Sequence, residues 1–206
     1  MDYAMLSRLH IQSTSDQQNP LLYPAIAAAA PASVLPEQAG NWAYAQPEMS
    51  AEESAFTLAT GILGRLYLSG HLNRMPTEQL ALVREAVGLH KNLVRQVASS
   101  VPFWPLGLGG SARSWVAQGL RLPAGQECYL TVWRLPGAAE TLRLPLVHLR
   151  GADVRVETLF PTAPPEWPTR WDAASGTLDI TATVPAPSAR VLRVSALRDG
   201  QVSHPG

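Results

Sequence analysis

The chain has 206 residues, of which 46% are hydrophobic and 16% are charged, and this composition is typical of a folded globular protein and excludes disorder throughout. The 16 basic and 16 acidic residues give a formal net charge of zero, so the sequence shows no electrostatic footprint for nucleic acid or an anionic membrane. A single cysteine excludes an internal disulfide framework, and five dispersed histidines form no pair at metal-ligand spacing. We therefore expect no metal and no other cofactor.

The start of the chain lacks the basic and apolar blocks of a secretory signal. The alanine-rich residues 25–33 resemble a cleavage region in composition only, and they lie too far inside the chain. No apolar run approaches the roughly 20 residues needed to span a bilayer. We therefore expect a soluble protein with a cytoplasmic location.

The first candidate functional residue is Asp16, which follows a short apolar stretch and stands among hydroxyl and amide side chains. A strand that ends at Ser15 and Asp16 would place the carboxylate at its carboxyl end, where barrel enzymes hold their catalytic groups. The alternative is structural, because Ser and Asp side chains at such positions commonly make local hydrogen bonds in turns and at helix starts.

A second acid, Glu37, follows a comparable apolar stretch and precedes Asn41, Trp42 and Tyr44. Acid and base chemistry at an acetal needs two carboxyl groups, about 5–5.5 Å apart for retention and farther apart for inversion. Aromatic faces stack on pyranose CH groups, and an amide binds sugar hydroxyls. A loop that packs on the neighbouring helix explains the same residues, since buried Trp and Tyr find hydrogen-bond partners for structural reasons alone.

Helix signals dominate the rest of the first hundred residues. A capping box that starts at Ser50 predicts a helix that ends near residues 61–64, and residues 65–70 are typical of a brief extended element. Pro76 in an early helical position, followed by apolar residues at helical spacing, predicts a second helix that ends at about Val97. We interpret this half as strand, helix, strand, helix.

After about residue 100 the pattern changes to short β segments separated by Pro and Gly. Five segments each predict a strand: residues 127–134, 141–149, 153–160, 177–184 and 190–197. Apolar and polar residues alternate in the fourth of these, which indicates one buried face and one exposed face. The pattern predicts a small antiparallel β-sandwich, in which the Pro-rich stretch before the fourth segment is a long surface connection.

Several residues that could carry chemistry are interpreted as structural. Trp133 lies within a predicted strand and is expected in the core, and Cys128 is expected to be a buried thiol. His71 and His90 are expected to be surface or core imidazoles. The glycine-rich residues 107–111 lack the preceding strand and following Lys of a phosphate cradle, so a turn is expected there.

Two further tryptophans, Trp167 and Trp171, lie in and just after the Pro-rich stretch and are candidates for stacking on a glycan. They motivate an alternative function, a non-catalytic carbohydrate-binding or interaction module in which the sandwich binds glycan and the helical half is a dock. Exposed aromatic residues on one sheet face would favour that alternative.

Five segments carry a resemblance to a known family: residues 11–18, 23–44, 49–53, 63–72 and 102–108. They are similar to bacterial α-galactosidase-type glycoside hydrolases of family 36. The resemblance is dense over the first half of the chain and thin over the second. Members of this family have a (β/α)8 catalytic barrel between a large β-domain and a small β-sandwich, and they cleave terminal α-galactosides with retention.

The resemblance implies that residues 1–100 are the C-terminal portion of a (β/α)8 TIM barrel and that residues 101–206 are the following β-sandwich. In the family, a Ser-Asp pair at the end of a late barrel strand carries the general acid/base, which corresponds to Asp16. Further candidates for contacting sugar hydroxyls or the acid are Ser15, Gln17, Asn41 and Trp42.

The resemblance also implies what the chain lacks. The nucleophilic Asp of the family lies on an earlier strand, and a Cys- and Gly-rich sugar-binding segment lies just before the region at which this chain starts. Better-known members follow the Ser-Asp with another Asp and then an Arg, whereas residues 17–20 here are Gln-Gln-Asn-Pro. Open parallel strands also leave unsatisfied edges.

The predicted function is therefore that of a retaining α-galactosidase, present as a C-terminal fragment that lacks the nucleophile and is inactive alone. Its expected substrates are α-galactoside oligosaccharides, and its expected partners are a further copy of the chain or an upstream barrel half. A subunit that completes a barrel in trans is a further alternative.

Overall fold

The computed structural model describes residues 3–108, 115–163 and 165–197. Short strands alternate with helices in the first hundred residues. The elements are α1 (Tyr3–Leu6), β1 (Gln12–Ser13), α2 (Tyr23–Ala29), β2 (Ala39–Tyr44), α3 (Ala51–Ile62), β3 (Arg65–Ser69) and α4 (Thr77–Ser99). Single turns of 3₁₀ helix lie at Ala30–Ala32, Pro36–Gln38 and Leu72–Arg74. The three strands form a parallel sheet in the order β1-β2-β3.

The central strand of this sheet, β2, is the main feature that the sequence analysis missed. The interpretation of these residues as a loop packed on the neighbouring helix is wrong. Gly40 and Asn41 weaken the strand signal, because both residue types are depleted in strands. The alternation is visible in the structure, where Ala39, Asn41 and Ala43 are buried while Trp42 is partly exposed on the other face.

The two predicted helices are confirmed. Ser50 caps α3 through the expected capping box, in which its hydroxyl accepts from the backbone of Glu53 and the Glu53 carboxylate accepts from the backbone of Ser50. Gly61 lets α3 lie close to β3, since a Cβ there would meet Leu66 Cδ1 at 2.4 Å. Pro76 is the N-cap residue of α4, one position before the helix, where the sequence placed it inside.

The remaining described residues form two antiparallel sheets. The strands are β4 (Val101–Phe103), β5 (Trp115–Arg121), β6 (Glu127–Arg134), β7 (Thr141–Pro145), β8 (Val154–Phe160), β9 (Thr169–Asp172), β10 (Thr177–Thr181) and β11 (Ser188–Ala196), with a 3₁₀ turn at Val147–Leu149. The larger sheet has the order β4-β5-β6-β11-β8, and the smaller has the order β7-β10-β9. All pairings within both sheets are antiparallel.

All five predicted strands of this half exist, and β6 has the predicted bounds. The segment at 141–149 is wrong over its last residues, which form the 3₁₀ turn. The strands β4, β5 and β9 were not predicted, because each is short or contains Pro, Gly or charged residues. Position 119 in β5 has no room for a side chain, because a Cβ on Gly119 would lie 2.3 Å from the ring of Phe103 on β4.

The five-stranded sheet is buried on both faces. One face packs on the helices, and its core includes Val116, Leu120, Tyr129, Trp133 and Val191 together with Phe56, Leu58 and Leu63. The opposite face packs on the three-stranded sheet, and that core includes Leu130, Val132 and Leu192 together with Leu144, Leu178 and Ile180. The helices and the antiparallel sheets are therefore joined through a sheet that belongs to both cores.

Candidate functional site

Asp16 lies beyond the carboxyl end of β1. The strand pairs Ser13 with Gly40 of β2, and the pairing continues one step further through the amide of Thr14, which donates to the Gly40 carbonyl at 3.1 Å. Asp16 follows two residues later and is exposed. Its carboxylate makes no hydrogen bond or ion pair with any residue that the structure describes. This is a free carboxylate at the carboxyl edge of a parallel sheet, where active sites of α/β folds form.

A chain of hydrogen bonds fixes the segment just before Asp16. The backbone N–H of Trp42 donates to the Tyr23 hydroxyl at 2.8 Å, and that hydroxyl lies 3.0 Å from Thr14 Oγ1. Thr14 Oγ1 lies 2.9 Å from Asn41 Oδ1 and 3.1 Å from the Gly40 carbonyl, two acceptors for its one hydrogen. Because that hydrogen points to one of these acceptors, Tyr23 is the donor in the bond between the two hydroxyls. The backbone two residues before Asp16 is thereby held against β2.

The pKa of Tyr23 is raised, mainly because the ring is buried, so its hydroxyl stays protonated and can donate. The negative charge of Asp16 adds a smaller contribution in the same direction. Asp16 is thus close enough to Tyr23 for its charge to contribute to the raised pKa of the tyrosine.

Ser15 and Gln17 form the turn on either side of Asp16. Ser15 Oγ accepts from the backbone of Gln17 at 3.0 Å, and Gln17 Oε1 accepts from the backbone of Asn19 at 2.9 Å. These are the local hydrogen bonds that the structural alternative requires, but they belong to the flanking residues. The hydrogen bonds of the turn are made by Ser15 and Gln17, and none of them involves the Asp16 carboxylate.

Asn41 is buried, with 1% exposure. Its amide oxygen lies 2.9 Å from Thr14 Oγ1, and its Nδ2 lies against Gly64, where an added Cβ would come within 2.7 Å. The expectation that Asn41 contacts a sugar hydroxyl is therefore corrected, since its side chain lies inside and holds β1 to β2.

Trp42 belongs to a group of rings on the open side of the parallel sheet. We call Ser13, Trp42, Tyr44 and Tyr67 the aromatic face. The Trp42 ring stacks on Tyr44 at a centroid distance of 6.1 Å and contacts Tyr67 at 5.1 Å. Its indole N–H donates to Ser13 Oγ at 2.9 Å. All three rings are partly exposed.

The aromatic face lies on the side of β2 and β3 opposite α3 and α4. Trp42 pairs with Tyr67 across β2 and β3, while Leu66 and Leu68 of β3 pack against the helical core. Successive residues of a strand point to opposite sides, so Tyr67 faces away from that core. The sequence analysis did not select Tyr67; the alternation of apolar and polar residues in Arg65–Ser69 is the signal that could have found it.

Glu37 is excluded as the second carboxylate. It lies in the 3₁₀ turn before β2, and its carbonyl accepts from Arg65 at the start of β3 at 3.3 Å. It is thus at the amino edge of the sheet. The strand register separates it from Asp16 by six residues, on the order of 20 Å at the rise of a strand. A carboxylate pair at catalytic distance does not form from these two residues.

Of the two candidates for stacking on a glycan, Trp167 is buried and Trp171 is partly exposed. Trp167 is 3% exposed, packs edge-on against Trp115 at 5.6 Å and lies under the guanidinium of Arg190 at 4.9 Å. Trp171 packs against the sandwich core, and its indole donates to the Ala152 carbonyl at 2.8 Å. The expectation that Trp167 stacks on a glycan is therefore wrong, since its ring is part of the sandwich core.

The residues interpreted as structural have ordinary surroundings. Trp133 and Cys128 are fully buried, as predicted, and burial raises the pKa of the thiol to about 12. His71 is exposed, and His90 is partly buried with Nδ1 3.2 Å from the Ile62 carbonyl. Of residues 107–111, the first forms a turn through a bond from its amide to the Trp104 carbonyl at 2.9 Å, and the last three lie outside the described residues.

The described residues form neither a membrane-spanning helix nor a metal-binding cluster. None of the helices they form is both long and apolar enough to cross a membrane. Within the same ranges, no cluster of three or more His, Cys, Asp or Glu side chains is arranged to hold a metal ion.

Comparison with known proteins gives matches in three-dimensional structure alone. No family model matches the chain, and no curated protein sequence matches it either. A GH36 α-galactosidase of Geobacillus stearothermophilus in complex with 1-deoxygalactonojirimycin superposes with a TM-score of 0.70 at 14% identity, over 95% of this chain and 27% of that one.

Two further solved structures match in the same way. The galactosidase domain of an α-galactosidase-sucrose kinase gives a TM-score of 0.68 at 13% identity, over 89% of this chain and 25% of that one. An α-galactosidase of Lactobacillus brevis gives 0.63 at 13% identity, over 92% of this chain and 26% of that one. The chain thus spans about a quarter of the length of the structures it matches, and the likeness at this identity is one of fold.

Proposed function

We propose that this chain, whose fold is that of the C-terminal part of GH36 α-galactosidases, supplies the general acid/base of a retaining α-galactosidase. In this proposal its β/α region is the last part of a (β/α)8 barrel, and its antiparallel sheets are the sandwich that follows. One observation carries the proposal: Asp16 is exposed and unengaged beyond the carboxyl edge of a parallel sheet.

In the first step, the Asp16 carboxyl gives its proton to the glycosidic oxygen while the bond from that oxygen to the anomeric carbon breaks. The anomeric carbon bonds to a nucleophilic carboxylate that this chain does not supply. In the second step, a water oxygen attacks the anomeric carbon, Asp16 takes the proton of that water, and the bond to the nucleophile breaks. Asp16 then holds a proton again, ready for the next cycle.

In this proposal the nucleophile comes from outside the described residues. Glu37 lies at the other edge of the sheet, and a retaining enzyme needs its two carboxyl groups about 5–5.5 Å apart. The chain on its own is therefore expected to form no galactosyl-enzyme intermediate and to release no galactose. Substrates of the complete enzyme would be α-galactosides.

The proposal is tested by azide rescue of Asp16→Asn in the chain purified from its own cells, together with any polypeptide that accompanies it. Loss of the acid/base should slow hydrolysis of an alkyl α-galactoside roughly 10²–10⁴-fold. Azide needs no general base, so it should restore turnover of 4-nitrophenyl α-galactoside and give the α-galactosyl azide.

The control is Asp153→Asn, which removes an exposed carboxylate of the sandwich and should leave the rates unchanged. Unchanged hydrolysis in Asp16→Asn would overturn the proposal. A β-galactosyl azide would also overturn it, because inversion during rescue marks the loss of a nucleophile.

A further inference from the structure

We infer that a cleft at the amino edge of the parallel sheet binds a small organic cation, an ammonium group on an apolar body, with the Glu37 carboxylate as its partner. We call it the amino-edge cleft. It lies between α1 and the 3₁₀ turns before β2 on one side and the end of α4 with the start of β4 on the other. Asp16 lies beyond the opposite edge of the sheet, so this binding site is separate from the proposed hydrolysis.

The amino-edge cleft has the size and the lining of a small-molecule site. It encloses about 460 Å³, within the range of roughly 300–1,000 Å³ that is common for ligand pockets. Its walls are mainly apolar and include Leu6, Pro31, Val34, Leu35, Pro36 and Pro102. The proline rings add apolar surface and bring no backbone N–H. Both walls are formed by described residues of this chain, and a space of this volume holds a compact molecule.

The hydroxyl and amide groups of the cleft have no side-chain hydrogen to spare. Each of its three serines donates to the backbone carbonyl three residues earlier, Ser7 at 2.7 Å, Ser33 at 3.4 Å and Ser100 at 2.8 Å. The Gln38 amide donates to two backbone carbonyls at 2.9 and 2.8 Å, and its buried Oε1 has no partner among the described residues. A serine oxygen that has donated its hydrogen can still accept. The ligand therefore has to supply the donors.

Glu37 gives the cleft its charge. Its carboxylate makes no hydrogen bond or ion pair with any described residue. The guanidinium of Arg65 lies nearby, but it donates to the backbone carbonyls of Glu37 and His10, at 3.3 and 3.4 Å. Hydrogen bonds from an ammonium group to a carboxylate are about twice as strong as those between neutral groups. An apolar molecule with an ammonium group thus matches both the walls and the carboxylate.

The test is a nuclear magnetic resonance titration of the whole isotope-labelled chain with three probes that share a phenylethyl body: phenethylamine, 2-phenylethanol and 3-phenylpropanoate. Phenethylamine, the cation, should bind with a Kd about tenfold lower than that of the neutral alcohol. The anion should bind more weakly than the alcohol. The backbone amide shifts should concentrate in residues 32–38 and 98–101, which line the cleft or adjoin it.

Three variants show which groups cause the preference. Glu37→Gln removes the charge and should raise the Kd of phenethylamine to that of 2-phenylethanol. Glu48→Gln is the control, because it removes an exposed carboxylate beyond the carboxyl end of β2 and should change neither Kd. Leu35→Ser removes a side chain that is 56% exposed, so the fold should persist while both probes lose the same factor in affinity. Thermal unfolding curves verify that each variant is folded.

Four outcomes would overturn the inference: equal Kd values of the amine and the alcohol for the wild type, a preference for the amine that persists in folded Glu37→Gln, shifts confined to residues outside the cleft, or no shift with any probe. The comparison of the three probes on the wild type decides the matter even if a variant is unstable. Because no step measures hydrolysis, the result is independent of the azide rescue of Asp16→Asn.

Discussion

The two sheet systems of this molecule differ in how many of their faces are buried. The five-stranded antiparallel sheet lies between the helices and the three-stranded antiparallel sheet, so both of its faces are in a core. The parallel sheet buries Ala43 of β2 in the core shared with the helices and leaves Trp42 and Tyr67 on the other side partly exposed. The five-stranded sheet thus has both faces covered, while the parallel sheet presents an edge, a partly exposed face and a free carboxylate.

A partly buried ion pair adds to the shared core that joins the two halves. The guanidinium of Arg190, fully buried on β11, binds both carboxylate oxygens of Glu52 in the first turn of α3 at 2.9 Å and stacks over Trp167. Because α3 packs on β2 and β3, this ion pair holds in place the helix that covers one side of the parallel sheet. The following predictions test how far the two halves differ.

The largest expected effect on stability comes from removing the ion pair between Arg190 and Glu52. Arg190→Ala leaves Glu52, whose side chain is 27% exposed, without its partner and leaves a cavity beside Trp167. We expect a loss of about 3–5 kcal/mol in the free energy of unfolding, measured by urea denaturation. Arg193→Ala is the control, because its pair with Glu157 is about 40% exposed and should be worth under about 1 kcal/mol. Equal losses in the two variants would contradict this account.

A second pair of variants compares the buried core with the open face. Leu144→Ala creates a cavity at a fully buried position of the sandwich and should cost about 2–5 kcal/mol. Tyr67→Ser removes a partly exposed ring and should cost no more than about 1 kcal/mol in the isolated chain. Urea denaturation of both variants measures the contrast. A loss at position 67 as large as that at 144 would mean that the aromatic face is already covered.

The smallest expected effect is a pH dependence from His90. Burial lowers the pKa of this imidazole, with Arg65 adding to the shift and the Ile62 carbonyl opposing it. The unfolded chain therefore takes up a proton near pH 6.5 that the folded chain resists, so stability present above pH 6.5 is lost as the pH falls through the folded pKa. The melting temperature should fall between pH 7.5 and 5, and less so in His90→Gln. His148, whose pKa is also lowered, should account for part of the remaining fall.

Local signals in the sequence predicted local structure well. The capping box at Ser50 fixed the start of α3, and the alternation of residues 177–184 predicted the buried side chains of β10, which include Leu178 and Ile180. In both cases the determining contacts lie within a few residues along the chain. Such elements are visible without knowledge of the tertiary fold.

The missed features depend on contacts between distant residues. Strand β2 contains Gly40 and Asn41, and its pairing with β1 and β3 outweighs their weak strand propensity. Trp167 was expected at the surface because prolines surround it, but Arg190 and Trp115 bury it from far along the chain. In the candidate site, the position of Asp16 after a strand was readable, while the burial of Asn41 and the role of Tyr67 required the sheet order.

The most direct test of the central claim is the hydrolysis of 4-nitrophenyl α-galactoside by the purified, folded chain alone, with Asp16→Asn beside the wild type. A chain that supplies an acid/base without a nucleophile should release no nitrophenol above the uncatalysed rate in either form. Turnover by the wild type that is lost in Asp16→Asn would contradict the account, because a complete site would then form within these 206 residues.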